Sequence, residues 1–197
     1  MSTGSRGNRL GWVLVAALAA VLGARGFLLP YSVEREVWWL KSSGYLALGA
    51  LFLSLSMTPL ARLQPLLGVE GFSRSSLMAL RRRFGIAAAL FGALHGGLAL
   101  TTYLEGSWRV AFASPYLRAG VASLAILLAL LATSFPRLTG RLRVRLWREL
   151  HRLIYVAAFF LAQHLLLSPF APRGRSLLLS ALLLLLLGLR VLPRRAG

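Results

Sequence analysis

Long apolar blocks separated by short basic segments dominate the 197-residue sequence. Each block approaches the roughly 20 residues that a helix needs to cross a hydrocarbon core about 30 Å thick. The pattern predicts six transmembrane helices, approximately at residues 10–29, 44–60, 84–104, 115–134, 147–167 and 176–192. Because proline fits poorly within a continuing helix, we expect the second, fourth and fifth spans to end at Thr58-Pro59, Phe135-Pro136 and Ser168-Pro169. The predicted fold is an all-α membrane protein, a six-helix bundle forming a single domain over residues 1–197.

Basic residues are distributed unevenly between alternate connections of the predicted bundle. The N-terminus, the second and fourth connections and the C-terminus carry 16 of the 23 Lys and Arg residues, and the opposite side carries seven. Because cytoplasmic segments keep the positive excess, this imbalance predicts that both termini lie in the cytoplasm. An even number of spans follows, which favours six over five. Within the first span, Arg25 must either reach outward to the interface or mark the end of the helix.

Composition narrows the chemistry that the chain can perform. A net charge of +18 would suggest nucleic-acid binding in a soluble protein, but the arginines lie between apolar blocks and act as topology signals, so we expect no nucleic-acid partner. The absence of cysteine excludes disulfides, thiolate-ligated metals and iron–sulfur clusters. Aspartate is also absent and the five glutamates lie mainly in connections, which disfavours a buried acid–base pair. No glycine-rich phosphate loop of the Walker or Rossmann type is present, so we expect no nucleotide-binding fold in this chain.

Three histidines, His95, His151 and His164, lie in or at the edge of predicted spans. Ionisable residues inside spans are costly and often mark functional sites; the alternative is that each imidazole only bonds neighbouring helices, at about 0.6 kcal/mol on average. His95 lies 11 residues after Phe84, about 17 Å along the helix, and His164 lies 13 residues after His151, about 20 Å along it. Both spans run outward, so His95 and His164 reach similar depths. We predict that they are the axial ligands of one b-type haem.

His151 lies closer to the cytoplasmic surface than the other two histidines, and it is about 140° from His164 around the helix. We therefore predict a different cofactor-binding role for His151. The open alternatives are a second haem site, contact with a quinone or a flavin, or a structural hydrogen bond.

Glycine and arginine residues around the predicted haem site each have two possible roles. Gly85, Gly92, Gly96 and Gly97 remove side chains from the helix of His95 and would let a porphyrin approach it, although Gly92 and Gly96 also form a GxxxG helix-packing pair. Arg109 and Arg118, near the predicted outer face, either pair with haem propionates or are solvated loop residues.

Four groups of residues carry a resemblance to a known family. They are Ser43-Gly44-x-Leu46-Ala47-Leu48 running to Met57-Thr58-Pro59-Leu60-Ala61-Arg62; Arg82-Arg83-x-Gly85 with Leu94-His95 and Tyr103; Pro115-Tyr116-Leu117 running to Ala132-Thr133-Ser134; and Trp147-x-x-Leu150-His151-x-x-x-Tyr155 with His164. Together they resemble the MsrQ (YedZ) family, the haem-binding membrane subunit of the bacterial periplasmic methionine sulfoxide reductase, within the ferric-reductase-like transmembrane group.

The resemblance implies a multi-pass protein of the bacterial inner membrane that binds at least one haem b through His95, His151 and His164. It also implies electron input from quinol or from a cytosolic flavin reductase, with FMN involved. The expected acceptor is a periplasmic, MsrP-like molybdopterin subunit, on which methionine sulfoxide is reduced to methionine.

Two alternative functions remain open from the sequence. The first is a stand-alone ferric or cupric reductase, although the chain lacks the fused flavin and nicotinamide domains that such enzymes usually carry. The second is a non-redox transporter or membrane scaffold whose histidines only pack helices.

Overall fold

The computed structural model describes residues 3–29, 32–64, 73–135 and 144–191 and is helical almost throughout, with no strand in those ranges. The helices are α1 (Thr3–Leu28), α2 (Val33–Leu63), α3 (Arg74–Leu98), α4 (Trp108–Ala113), α5 (Pro115–Ala132), α6 (Val144–Leu167) and α7 (Arg173–Val191). At its C-terminal end α3 continues into a π-helical turn, Ala99–Tyr103. The predicted all-α class is confirmed.

Four helices within the described ranges are long and apolar enough to cross a membrane: Val33–Leu63, Arg74–Tyr103, Pro115–Ala132 and Arg145–Leu167. They correspond to the predicted second to fifth spans, and the chain is a multi-pass membrane protein. The total of six spans and the side of each terminus stay predictions. Several arginines counted for topology lie outside the described residues, namely Arg137, Arg141, Arg143, Arg194 and Arg195.

The second span differs from its predicted bounds at both ends. α2 begins at Val33 and continues through Pro59 to Leu63, so the expected stop at Thr58-Pro59 is wrong. A proline inside a helix removes one backbone hydrogen bond, but packing supports this last turn. Met57 and Pro59 are buried, and Met57 belongs to an apolar cluster with Leu77, Leu80 and Phe84 of α3.

The other proline boundaries agree better with the helices. α6 ends at Leu167, directly before Ser168-Pro169, which confirms that boundary. α5 ends at Ala132, and Pro136 lies outside the described residues. The start of α5 follows the usual preference for proline in the first helical turn, because Pro115 comes directly after the extended Ser114.

The chain forms two compact units, Met1–His95 and Gly96–Gly197, whose boundary falls within α3. In the first unit, α2 and α3 form an antiparallel hairpin in which the Ser54 hydroxyl donates to the Arg81 carbonyl at 2.9 Å. Leu51, Leu55 and Ala88 are almost completely buried. The prediction of a single domain stays a prediction.

In the second unit, α5 and α6 form another antiparallel hairpin, and α7 packs against α6. The Ser123 hydroxyl of α5 donates to the Ala157 carbonyl of α6 at 2.9 Å, and the Ser180 hydroxyl of α7 donates to the Ala162 carbonyl at 3.4 Å. Ala157, Ala158 and Ala162 are buried. Small residues and hydroxyl-to-carbonyl bonds are how membrane helices associate where lipid removes most of the hydrophobic driving force.

Candidate functional site

His95 lies in the last turn of α3, half-buried, and its ring contacts the backbone of α2. Its Nδ1 atom lies 2.9 Å from the carbonyl oxygen of Leu40. A carbonyl oxygen can only accept a hydrogen bond, so Nδ1 carries the ring proton and donates it. In the neutral ring Nε2 then holds the lone pair, which is the form of imidazole that ligates a metal.

Gly44 provides the space for this contact. A Cβ atom at residue 44 would lie 2.9 Å from Nδ1, 3.0 Å from Cε1 and 3.5 Å from Cγ of His95. Real Cβ atoms essentially never approach another heavy atom below 3.0 Å. The imidazole therefore reaches the backbone of α2 because position 44 has no side chain.

His164 repeats the arrangement within the second unit. Its Nδ1 atom lies 2.8 Å from the carbonyl oxygen of Tyr116, near the start of α5. A Cβ atom at Gly120 would lie 2.8 Å from Nδ1, 3.1 Å from Cε1 and 3.4 Å from Cγ of His164. The Tyr116 ring also stacks on the imidazole, with centroids 5.9 Å apart and an interplanar angle of 27°. His164 is thus held by both the backbone and the side chain of Tyr116.

His151 is held differently from the other two histidines. Its Nδ1 atom bonds the carbonyl oxygen of Trp147, one turn earlier on its own helix, at 3.0 Å. The two rings lie 4.1 Å apart, and the Trp147 indole donates to the Thr133 carbonyl at 3.3 Å. Since α6 is one continuous helix, His151 and His164 are separated by about 20 Å and about 140°. The separate role expected for His151 stays a prediction.

The glycines that were expected to let a porphyrin approach the helix of His95 differ in their surroundings. A Cβ atom at Gly96 would lie 2.7 Å from Leu124 Cδ2, which is a close helix-packing contact within the second unit. A Cβ at Gly85 would be 3.5 Å from Ser54 Oγ, whereas no heavy atom lies within 4 Å of one at Gly97. At Gly96 the contact favours the packing reading.

The arginines proposed as propionate partners, Arg109 and Arg118, are exposed on α4 and on the first turn of α5. They belong to the same unit as His151 and His164, while His95 belongs to the first unit. Pairing of these arginines with propionates stays a prediction.

All three histidines stand out in the sequence, but the groups that hold His95 and His164 do not. These groups are the carbonyls of Leu40 and Tyr116, together with Gly44 and Gly120. The sequence carries part of the signal, since each glycine lies in the first part of one predicted span and each histidine lies in the middle or the last part of the next. An antiparallel hairpin brings such positions to the same level.

These observations define a class of protein: an all-helical, multi-pass membrane protein with two imidazoles fixed in the metal-ligating tautomer by neighbouring helices. Residues 43–162 match the family described as ferric reductase like transmembrane component. Several relatives carry the name protein-methionine-sulfoxide reductase heme-binding subunit MsrQ. That of Deinococcus radiodurans is 36% identical over 62% of this chain and 58% of its own. That of Rhodospirillum rubrum is 31% identical over 59% and 60%.

The relative from Bordetella pertussis is 31% identical over 89% of this chain and 84% of its own length. The match thus spans about three fifths of the length of the first two relatives and most of the third. The chain belongs to the ferric reductase like transmembrane component family and, within it, to the MsrQ family.

Proposed function

We propose that the chain is a haem-binding electron-transfer subunit of the bacterial inner membrane, with His95 and His164 as the axial ligands of one b-type haem. One observation carries the proposal: both imidazoles donate Nδ1–H to a carbonyl group of the helix that precedes theirs. Metal-ligating histidines almost always make such a bond with the ring nitrogen that does not bind the metal. The names of the relatives, which include heme-binding subunit, support the same assignment.

The residues present fit a haem through the chemistry of their donor atoms. A bound haem would supply one-electron chemistry at a potential set by its ligands and their hydrogen bonds. The chain contributes the rest. The carbonyls of Leu40 and Tyr116 accept the Nδ1 protons and so fix the orientation of both rings, and Nε2 is the nitrogen with which each imidazole would ligate a metal. Exposed apolar side chains such as Val156, Phe159 and Leu185 provide a lipid-facing surface.

We further propose that electrons enter from quinol or from a cytosolic flavin reductase that uses FMN, and leave to a periplasmic, MsrP-like molybdopterin subunit. The name methionine-sulfoxide reductase subunit in the relatives supports an acceptor of this kind. In this scheme His151, beside Trp147, belongs to the cytoplasmic end, where a quinone, a flavin or a second haem would approach. The sulfoxide itself is reduced on the partner subunit.

The function is tested by reconstituting the purified protein in liposomes with a reduced quinol and an external MsrP-like subunit. We expect quinol-dependent reduction of methionine sulfoxide that requires the membrane protein, and none with a His164→Ala variant. Product formation is measured by mass spectrometry of a methionine sulfoxide peptide. Equal turnover with empty liposomes would contradict the proposal. Turnover with ferric citrate but none with the reductase would instead favour the stand-alone metal reductase.

We also propose six spans with both termini in the cytoplasm, supported by the 16-to-7 distribution of basic residues. Green fluorescent protein fused after Gly197 is expected to fluoresce, because it folds in the cytoplasm. Alkaline phosphatase fused at Ser32 or at Gly106 is expected to be active, because both connections would be periplasmic. An inactive fusion at either connection, or a dark fluorescent protein at the C-terminus, would contradict the proposed topology.

A further inference from the structure

The α2–α3 and α5–α6 hairpins keep the same kind of register. In the first hairpin, His95 contacts the Leu40 carbonyl. Ser54, which is fourteen residues after Leu40, contacts Arg81, which is fourteen residues before His95. In the second hairpin, His164 contacts the Tyr116 carbonyl. Ser123, which is seven residues after Tyr116, contacts Ala157, which is seven residues before His164. In each hairpin, one step forward along the first helix therefore corresponds to one step back along the second. This antiparallel register is the same at the histidine contact and at the serine contact.

Alignment of the two hairpins on these contacts reveals identical residues that the sequence alone does not make evident as a repeat. In the first helices the identities are Gly44 and Gly120, Leu48 and Leu124, Leu51 and Leu127, and Leu55 and Leu131. In the second helices they are Arg83 and Arg152, Ala88 and Ala157, Ala89 and Ala158, Phe91 and Phe160, Ala93 and Ala162, and His95 and His164. The leucines at 51 and 127 and the alanines at 88, 89, 157 and 158 are buried in both copies. The two hairpins thus share identical residues at equivalent positions of the same register.

The glycine has the same place in both copies, four residues after the carbonyl that accepts the histidine proton. In an α-helix the carbonyl of residue i already accepts the N–H of residue i+4. That residue therefore stands beside the oxygen, and its side chain would occupy the space that the imidazole uses. The three atoms nearest to a Cβ at either glycine all belong to the histidine ring. A side chain at either glycine position would therefore clash with the histidine ring and with no other nearer group.

We infer that Gly44 and Gly120 are equivalent positioning residues for the two haem ligands, an inference that rests on the proposed function. Each glycine lets its histidine donate Nδ1–H to the backbone, which fixes the orientation of Nε2 and raises the basicity of the imidazole. A more basic ligand stabilises ferric haem over ferrous haem. A methyl group at either position displaces the ring from its carbonyl, so haem affinity falls and the midpoint potential rises.

The test compares Gly44→Ala and Gly120→Ala with two matched controls, Gly49→Ala on α2 and Gly188→Ala on α7, where no heavy atom lies within 4 Å of the added Cβ. Haem affinity is measured by titrating purified apo-protein, and the midpoint potential by optical redox titration. We expect each test variant to lose about 10- to 100-fold in haem affinity and to shift to a higher potential. Both controls are expected to match the unsubstituted protein.

The outcomes separate the two proposals. If the unsubstituted protein has no low-spin haem spectrum, the proposed function fails. If it has one, and Gly44→Ala and Gly120→Ala keep its affinity and potential, only the positioning role is wrong. Where Gly44→Ala does not yield a monodisperse protein, the double variant Gly44→Ala with His95→Gly is examined by size-exclusion chromatography. It is expected to recover, because no ring then meets the methyl group, and a double variant that still aggregates would overturn the inference.

Discussion

Replacing either His95 or His164 with alanine is expected to abolish the low-spin b-type haem spectrum of the purified protein. Each imidazole is fixed through Nδ1 to a carbonyl group, at 2.9 Å for His95 and 2.8 Å for His164, and we propose that each ligates the iron through Nε2. A six-coordinate, low-spin iron needs both axial ligands. Loss of one leaves a five-coordinate or water-ligated iron, or no bound haem. Reduced-minus-oxidised optical spectra, with haem content per chain, give the measurement.

His151→Ala is the matched control for this experiment. His151 lies on the same helix as His164, but its Nδ1 atom bonds its own helix at Trp147. We expect the low-spin signal attributed to His95 and His164 to persist in this variant. Retention of the full signal after loss of His95 or His164, together with its disappearance in His151→Ala, would show that the ligand assignment is wrong. Free imidazole added to His164→Gly protein is expected to restore part of the spectrum, which a folding defect would not allow.

Ala157→Leu is expected to destabilise the second unit clearly. Ala157 is fully buried between α5 and α6, and its carbonyl accepts the Ser123 hydroxyl at 2.9 Å. Three added carbon atoms must separate the helices or force strained rotamers, at a cost of about 1–3 kcal/mol. Because His164 lies in the same hairpin, bound haem should also be released at a lower temperature.

Val156→Leu controls for this change, because Val156 is the preceding residue and is 41% exposed. Thermal unfolding in detergent is followed by helical circular dichroism and by haem absorbance. We expect a clear decrease in the melting temperature for Ala157→Leu and almost none for Val156→Leu. Equal melting temperatures for the two variants would mean that α5 and α6 are not closely packed at this level.

The sequence predicts the four central helices well because their apolar blocks stand out between arginines. It misplaces the ends of α2 for physical reasons. Four charged residues interrupt the apolar pattern near the start of α2, and a pattern of hydropathy therefore starts the span after them. In the structure they are part of the helix, where their side chains are exposed or half-exposed: Glu34, Arg35, Glu36 and Lys41. Pro59 is a local signal to stop, and it is overridden by burial of the turn against α3. Hydropathy and proline rules read only local sequence, whereas these boundaries depend on tertiary packing.

The candidate site is predictable only in part for a related reason. Histidine is rare and costly in a span, so His95, His151 and His164 are visible in the sequence. The partners of His95 and His164 are main-chain oxygens, which every residue carries and no sequence pattern marks. Gly44 and Gly120 become meaningful only when the register of each hairpin is known. The repeat is equally hidden, since its identities are scattered among alanines and leucines that are common throughout the chain.

The confinement of each ring contact to a single hairpin has a thermodynamic consequence. His95 and Leu40 both belong to the first unit, and His164 and Tyr116 both belong to the second. The rotamer entropy of each imidazole is therefore lost when its hairpin folds, and little remains to be lost when a ligand arrives. Preorganised rings of this kind also rearrange little when the charge of a bound metal centre changes, which is what rapid electron exchange requires.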